Sequence, residues 1–144
     1  MTGVEINFIT RDSLKALELY KKIFDIEVVE KTDFEVGKNE VIFTLYGTRF
    51  HMLDENPAYG LLSPKEGTHN TIWYNVLVED IKATWDKAME NNCTTIQPVT
   101  LMEDFGVSNA MFVDTYGYVW MLHQLHEVKS YDERIAAIKK MEEQ

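Results

Sequence analysis

Two side chains in the N-terminal half of the chain have the chemistry of an acid–base pair. Glu5 offers a carboxylate and His51 an imidazole, and a carboxylate beside an imidazole fixes the tautomer of the ring. Such a pair can remove a proton next to a carbonyl group without a metal ion, so both are candidate catalytic residues. A further histidine, His123, lies in the segment DTYGYVWMLHQLH of residues 114–126. That segment raises the question of whether its strand carries metal chemistry.

No other catalytic motif accompanies these residues. The chain has no Gly-rich phosphate loop, no nucleophile elbow and no Cys–His arrangement. Its one cysteine, Cys93, follows a predicted helix end, where we expect a buried or half-buried structural thiol, and it cannot form an internal disulfide. The spacing of Glu5 and His51 by itself singles out no particular reaction.

Composition and charge exclude several classes of protein. The chain has 144 residues, of which 45% are hydrophobic and 26% charged, as in an ordinary globular domain. A formal net charge of −10 leaves no basic patch for phosphate contacts, so no nucleic acid partner is expected. The start MTGVEINFIT is unlike a signal peptide, and no apolar run approaches the ~20 residues that span a bilayer. We expect a cytoplasmic, single-domain protein over residues 1–144 that binds no membrane.

The first half of the chain predicts one strand, one helix and three further strands over residues 4–55. VEINFIT alternates like a strand, and Asp12 or Ser13 can cap a helix that runs to about Phe24. IEVVEKTDFEV is the next strand, and EVIFTLYG and TRFHMLDE form a hairpin joined at Gly47. A loop with two prolines and two glycines follows, over residues 56–68.

The same order of elements returns over residues 69–126. TIWYNVLVED reads as a strand, Asp80 can cap a helix, TTIQPVT is a strand with an edge or bend at Pro98, and two strands surround a turn at Gly117. A C-terminal helix is predicted over residues 130–142, because Ser130 and Glu133 have capping-box spacing.

The two halves match in residues as well as in elements. Asn7 aligns with Asn75, and Gly47 aligns with Gly117. The sequence therefore predicts an α+β fold, in which two βαβββ modules form a curved mixed sheet and a short C-terminal helix is added. One helix per module covers one sheet face, so the other face must line a cavity or meet another subunit.

This paired pattern resembles the vicinal oxygen chelate superfamily, which includes glyoxalase I, bleomycin-resistance proteins and extradiol dioxygenases. Two segments are similar to its PhnB-like branch. DENPAYGLLSP resembles the acidic loop that follows the fourth strand, and DFGVSNAMFVDTYGYVWML resembles the ending, where an Asp-x-x-Gly turn leads into a strand with a tryptophan. The resemblance covers residues 4–126 and implies a homodimer with cavities on concave sheets.

In metal-dependent members, the resemblance implies one ligand from each of four strands. Carried over one position at a time, the ligand positions hold Glu5, His51, Trp73 and Met121. A thioether is soft and an indole does not ligate ordinary divalent ions, so we expect no metal and no other cofactor. A register shift of two residues would bring in His123 for Met121. Glu5, His51 and His123 would then be a facial set for iron or zinc, and this alternative stays open.

The same strands predict a ligand-binding surface, because residues two apart in a strand share a face. The predicted binding residues, beside Glu5, are Asn7, Arg49, His51, Trp73, Asn75, Met121 and His123. This mixture suits a small, partly planar organic molecule, with Arg49 pairing to a carboxylate or phosphonate and Trp73 stacking on a ring or cation. Trp73 and Trp120 are also explained as core or interface aromatics.

Three functions follow as hypotheses. The first is a metal-free homodimer of the glyoxalase and bleomycin-resistance fold that binds a small organic molecule. The second is a lyase, isomerase or dioxygenase, metal-dependent or metal-free, that uses Glu5 and His51. The third is a partner-binding module in which the C-terminal helix takes part. The sequence does not identify the ligand.

Overall fold

The structure is a computed structural model that describes residues 1–66 and 71–143. By their internal contacts the described residues form two compact units. The first unit contains residues 1–66 together with Thr115–Tyr118, and the second contains the rest. The predicted boundary between the loop and the second module, at residues 68 and 69, lies outside the described residues.

The first unit contains one βαβββ module. Its elements are β1 (Ile6–Thr10), α1 (Ser13–Ile23), β2 (Ile26–Lys31), β3 (Glu40–Leu45) and β4 (Thr48–Asp54). The sheet order is β1-β4-β3-β2, with β1 parallel to β4 and the other pairs antiparallel. The strand β2 ends at Lys31, five residues before the predicted strand IEVVEKTDFEV does, because an Asn39-centred turn begins there.

Helix α1 covers one face of this sheet. Asp12 caps it, since its Oδ1 accepts the Lys15 N–H at 3.1 Å. The buried side of the helix carries Leu17, Tyr20 and Ile23, as the helical period requires. Along β4 every second residue faces this core, as the sheet pleat requires. These inward residues are Phe50, Met52 and Asp54.

The β3–β4 hairpin turns at Tyr46 and Gly47, which have φ values of 47° and 85°. Two consecutive positive φ angles are typical of a two-residue type I′ turn, whose twist matches that of the flanking strands. The glycine supplies the second of these angles without steric cost. The predicted hairpin at Gly47 is confirmed.

A buried carboxylate joins the last strand of this module to its helix. Asp54 is 2% exposed. Its Oδ1 accepts the N–H and the hydroxyl of Ser13 at 2.7 and 2.6 Å, and its Oδ2 accepts the N–H groups of Gly37 and Asn39 at 2.8 and 2.9 Å. Burial raises the pKa of Asp54, but these hydrogen bonds outweigh it, so the pKa lies below its ordinary value.

The second unit contains the other βαβββ module and a terminal helix. Its elements are β5 (Tyr74–Leu77), α2 (Ile81–Glu90), β6 (Thr94–Met102), β7 (Val107–Val113), β8 (Val119–Leu125) and α3 (Tyr131–Glu142). The sheet order is β5-β8-β7-β6, with β5 parallel to β8. This repeats the topology of the first module, so the predicted fold of two βαβββ modules with a C-terminal helix is confirmed.

The core of the second unit lies between α2 and one sheet face. Phe112, Trp120 and Leu122 are fully buried there, and the Trp120 Nε1–H donates to Asp114 at 2.9 Å. Trp120 is thus a core aromatic, as expected. Gln124 occupies the place that Asp54 has in the first module, since its Oε1 accepts the first N–H of the module's helix, from Ile81, at 2.9 Å.

Two local predictions in this unit have a clear outcome. Pro98 lies in the edge strand β6, where the pairing with β7 shifts register between Gln97 and Thr100. The capping box of α3 is present, with Ser130 and Glu133 satisfying each other's backbone N–H groups. None of the helices in the described part of the chain has the length and apolar character needed to cross a lipid bilayer.

Candidate functional site

Each sheet has a second face that its own helix, α1 or α2, does not cover. We call the face of the first sheet opposite α1 the first open face, and the face of the second sheet opposite α2 the second open face. The strand pleat places alternate residues of each strand there. On the first open face, β1 and β4 pair in register, with Asn7 beside His51. On the second open face, β5 and β8 pair in the same way, with Asn75 beside Met121.

The first open face carries a charged cluster. Glu5 lies just before β1, and its Oε2 accepts the Arg49 Nε–H at 2.5 Å while its Oε1 lies 3.0 Å from His51 Nδ1. The hydrogen bond from Arg49 is the largest cause that holds the pKa of Glu5 below its ordinary value, and His51 adds to it against partial desolvation. We call Glu5, Arg49, His51 and Glu40 the Glu5 cluster.

Glu40 is the member of this cluster that was not predicted from the sequence. Its Oε2 lies 3.4 Å from His51 Nε2, which is close enough for an ion pair but not in hydrogen-bond geometry, so Nε2 is buried without a hydrogen-bond partner. The register of the β3–β4 hairpin could have predicted Glu40, because it pairs Leu45 with Thr48 and, further along the strands, Ile42 with His51. Glu40 then follows on the same face, two residues along β3.

The second open face is neutral where the first is charged. Asn109 on β7 pairs in register with His123 on β8, and its Oδ1 accepts the Gln97 Nε2–H at 2.7 Å. The Nδ1 atom of His123 is buried without a hydrogen-bond partner. An unpaired buried polar atom costs about 1–3 kcal/mol, so this ring is a place where a further hydrogen bond would stabilise the protein.

A cavity of about 800 Å³ lies on this face and is closed on one side by α3. We call it the α3 cavity. Its wall is mainly apolar, with side chains from β6, β7, β8 and α3 and from the 3₁₀ turn Glu103–Phe105. These apolar residues include Met102, Phe105, Val107, Leu125, Ile138 and Met141. A mainly apolar cavity of several hundred Å³ with few polar groups is the usual form of a small-molecule site.

The polar groups of the α3 cavity come from two sides. Asn109 and His123 lie on the sheet, and Lys129, Arg134 and Glu142 lie on α3 or just before it. Of these, only His123 was predicted from the sequence, and Asn109 and the α3 residues were not. The period-2 pattern of β7 could have placed Asn109 on the face of His123. No local sequence pattern predicts that α3 packs against this sheet.

The other predicted binding residues do not line the α3 cavity. Asn7, Arg49 and His51 belong to the first unit, and Asn75 and Met121 lie on the second open face but do not line the cavity. Trp73 lies just before β5 and is 52% exposed, so it is not part of the core of its unit. The structure therefore brings together Glu5, Arg49 and His51, and separately Asn75 and Met121.

The residues at the ligand positions do not fit the metal that the resemblance implies. Both oxygens of Glu5 already contact cationic or donor groups, on Arg49 and His51. At the matching positions in the second module, Trp73 and Met121 offer an indole, which does not ligate ordinary divalent ions, and a soft thioether, which is a poor ligand for a hard one. Within residues 1–66 and 71–143, no group of three or more His, Cys, Asp or Glu could hold a metal ion.

Cys93 offers no nucleophile at neutral pH. It is buried after α2, and burial, with a smaller contribution from Asp114, raises the pKa of its thiol to about 12. The expected structural role of this cysteine agrees with its burial.

The chain is similar to known proteins in sequence and in fold. A model of the Glyoxalase/Bleomycin resistance protein/Dioxygenase superfamily matches residues 4–122. No curated protein matches the chain.

Three solved structures illustrate the likeness of fold. The fosfomycin resistance protein FosX from Listeria monocytogenes, complexed with Mn(II) and sulfate ion, has a TM-score of 0.67 at 13% identity, over 96% of this chain and 98% of that one. The PhnB protein from Bacillus cereus has a TM-score of 0.65 at 18% identity, over 85% of this chain and 99% of that one. TioX from Micromonospora sp. ML1 has a TM-score of 0.61 at 12% identity, over 88% of this chain and 100% of that one. At these identities the likeness establishes the fold alone.

Proposed function

Because the chain belongs to the glyoxalase/bleomycin resistance protein/dioxygenase superfamily, we propose that it binds a small organic molecule in the α3 cavity. We further propose that it does so as a PhnB-like, cytoplasmic homodimer, with one such cavity in each subunit, and without a metal ion. The α3 cavity is the single observation that carries the proposal.

Two properties of the cavity support a binding role. Its volume, about 800 Å³, is within the range of small-molecule sites. Its apolar wall includes Met102 and Met141, and methionine side chains adapt to the shape of a ligand. Asn109 and His123 on the sheet would orient such a ligand, since each offers a hydrogen-bonding group.

Binding is tested by thermal-shift screening of a compound library, followed by calorimetry on the compounds that stabilise the protein. A ligand of the α3 cavity is expected to lose at least about tenfold in affinity in Ile138→Trp, since the indole would occupy the cavity. Lys139→Trp is the matched control, because Lys139 is the next residue of α3 and does not line the cavity. Compounds whose affinity is the same in both variants would place binding elsewhere and overturn the proposal.

The metal-free and dimeric parts of the proposal have their own measurements. Elemental analysis of protein purified without chelator is expected to find no stoichiometric zinc, nickel, manganese or iron. Light scattering after size exclusion is expected to give the mass of two chains. One metal ion per chain that disappears in Glu5→Gln would contradict the first expectation, and a monomer at micromolar concentration would contradict the second.

A second candidate function rests on the Glu5 cluster. The 3.0 Å approach of Glu5 Oε1 to His51 Nδ1 favours a general base, because a carboxylate there orients the imidazole. The reaction would be proton abstraction next to a carbonyl, as in a lyase or isomerase. On the other side of the ring, Glu40 Oε2 lies 3.4 Å from Nε2, the nitrogen that would take up the proton.

Proton abstraction is detected by the exchange of substrate protons in deuterated water. A panel of 2-oxo acids and hydroxyketones is followed by NMR with wild-type protein, His51→Gln and Glu40→Gln. Loss of exchange in His51→Gln, with partial loss in Glu40→Gln, is the expected result for a base at this position. Exchange that continues unchanged in His51→Gln would remove this candidate.

A further inference from the structure

We infer that the ligand of the α3 cavity is a monocarboxylate, with an aromatic or branched aliphatic body, whose carboxylate pairs with Arg134. This inference deepens the proposed function and rests on it. The apolar wall of the cavity accounts for the body of the ligand. The charges along α3 account for the head group and for its position.

Arg134 is a cation at the α3 cavity whose charge is not compensated by a carboxylate of the described residues. Its guanidinium lies 6.0 Å from the centre of the Tyr131 ring. Among the residues that the structure describes, it forms no ion pair with a carboxylate. A guanidinium has donors in a fork that matches a carboxylate, and such bidentate pairs are strong and specific. In a chain of net charge −10, an unpaired guanidinium beside an apolar cavity selects for an anion.

Lys129, the other cation at the cavity, is already compensated. Its Nζ lies 3.3 Å from Glu127 and 3.8 Å from Glu133, and its side chain is 19% exposed. The two carboxylates neutralise its charge, so it adds little attraction for a second anion. We therefore expect Arg134 to form the ion pair with the carboxylate of the ligand.

Glu142 restricts where the anion can lie. Arg134 is in the first turn of α3 and Glu142 is its last residue, so the eight-residue rise separates them by about 12 Å along the axis. A carboxylate at Arg134 is also nearer the positive end of the helix dipole, and one at Glu142 would meet like charge. The body of the ligand would therefore extend towards Met141, and a second carboxylate at that end would weaken binding.

The test compares matched compounds that differ in the head group alone. For each of three bodies, phenylbutyl, naphthylmethyl and the branched 2-ethylhexyl, calorimetry measures the binding of the carboxylate, the alcohol and the amine, below micelle-forming concentrations. For a body that fits, we expect the carboxylate to bind at least about tenfold more tightly than the other two. Arg134→Gln should reduce this preference to within about threefold and leave the affinity for the alcohol unchanged.

Two control variants keep the test decisive. Lys139→Gln removes a cation from α3 that does not line the cavity, and it should retain the full preference for the carboxylate. Arg134→Lys keeps the charge but not the fork, and it should retain part of the preference. Circular dichroism of each variant checks that α3 remains folded.

The possible failures are distinguishable. If the alcohol or the amine of a body binds as tightly as its carboxylate, or if Arg134→Gln weakens all three equally, the monocarboxylate inference is wrong and the proposed binding function stands. If no compound binds, and library compounds do not distinguish Ile138→Trp from Lys139→Trp, then the proposed function itself fails.

Discussion

The two open faces occupy equivalent positions in two modules of the same topology, yet they offer different chemistry. The first carries the Glu5 cluster, in which the carboxylates of Glu5 and Glu40 lie on either side of the His51 imidazole and Arg49 pairs with Glu5. The second carries amide, thioether and imidazole groups and an apolar cavity under α3. The repeat thus fixes where a site can be built on each sheet, while the residues that point from each face decide what it binds.

The polar contact that joins the last strand to the helix also differs between the modules, since it is made by a carboxylate in the first and by an amide in the second. In the first module, Asp54 is a carboxylate with four donors. In the second module, the amide of Gln124 accepts one N–H, from Ile81. A buried charge is stable only when its hydrogen bonds are satisfied, so the first module depends on its contact far more than the second does.

The largest expected effect is that of Asp54→Asn. The amide nitrogen would face either the two Ser13 donors or the N–H groups of Gly37 and Asn39. We expect the free energy of unfolding to fall by about 3 kcal/mol, measured by urea denaturation at pH 7. A loss below about 1 kcal/mol would show that the network tolerates a neutral group.

The effect of Asp54→Asn should depend on pH in a defined direction. The pKa of Asp54 in the folded protein lies below the ordinary value of 3.8. Its carboxylate therefore stabilises the fold above that value, and this stabilisation is lost as the pH falls through the folded pKa. The difference between wild type and variant should be constant near neutrality and shrink below about pH 4. A difference that grows on acidification would contradict the assignment.

A smaller loss of stability is expected from a substitution in α3, where this helix covers the second open face. Ala137 is the buried residue of this helix, and Asp at that position would detach the helix rather than enter the core. Ala137→Asp should lower the free energy of unfolding by about 1–2 kcal/mol and speed amide hydrogen exchange in α3. Ala136→Asp, at the exposed neighbouring position, is the control and should leave both quantities nearly unchanged.

Gln124→Leu tests the weaker of the two strand–helix contacts. It removes one acceptor from the Ile81 N–H, which lies at a partly buried helix start. The expected loss is about 1 kcal/mol, and it should not change between pH 3 and pH 7, since an amide does not titrate. A loss as large as that of Asp54→Asn would mean that the two modules depend on this contact equally.

The smallest effect on stability is expected for Arg49→Gln. The Glu5–Arg49 pair is partly exposed, and such pairs contribute little, so the free energy of unfolding should hardly change. The titration of Glu5 should respond clearly. Carboxyl ¹³C NMR is expected to give a pKa below 4.5 in the wild type, and loss of the Arg49 hydrogen bond should move it upward. An unchanged Glu5 titration would show that Arg49 is not the cause.

Much of the fold could be predicted because it depends on local signals. The caps at Asp12, Asp80 and Ser130 and the hairpin at Gly47 are set by residues a few positions apart. The alternation of buried and exposed residues gives β4, β7 and β8 a core face. Strand ends were predicted less well. TIWYNVLVED suggested a strand from Thr71, whereas β5 begins at Tyr74.

The sequence by itself determined the repeat, the helix starts and the position of Glu5 and His51 on one sheet face. The tertiary structure decided which side chains meet there, because contacts such as Glu40 with His51 depend on the register of separate strands. It also decided the α3 cavity. A short helix with one buried residue carries too little local information to specify the surface it packs on, so its docking against the second sheet is set by long-range packing.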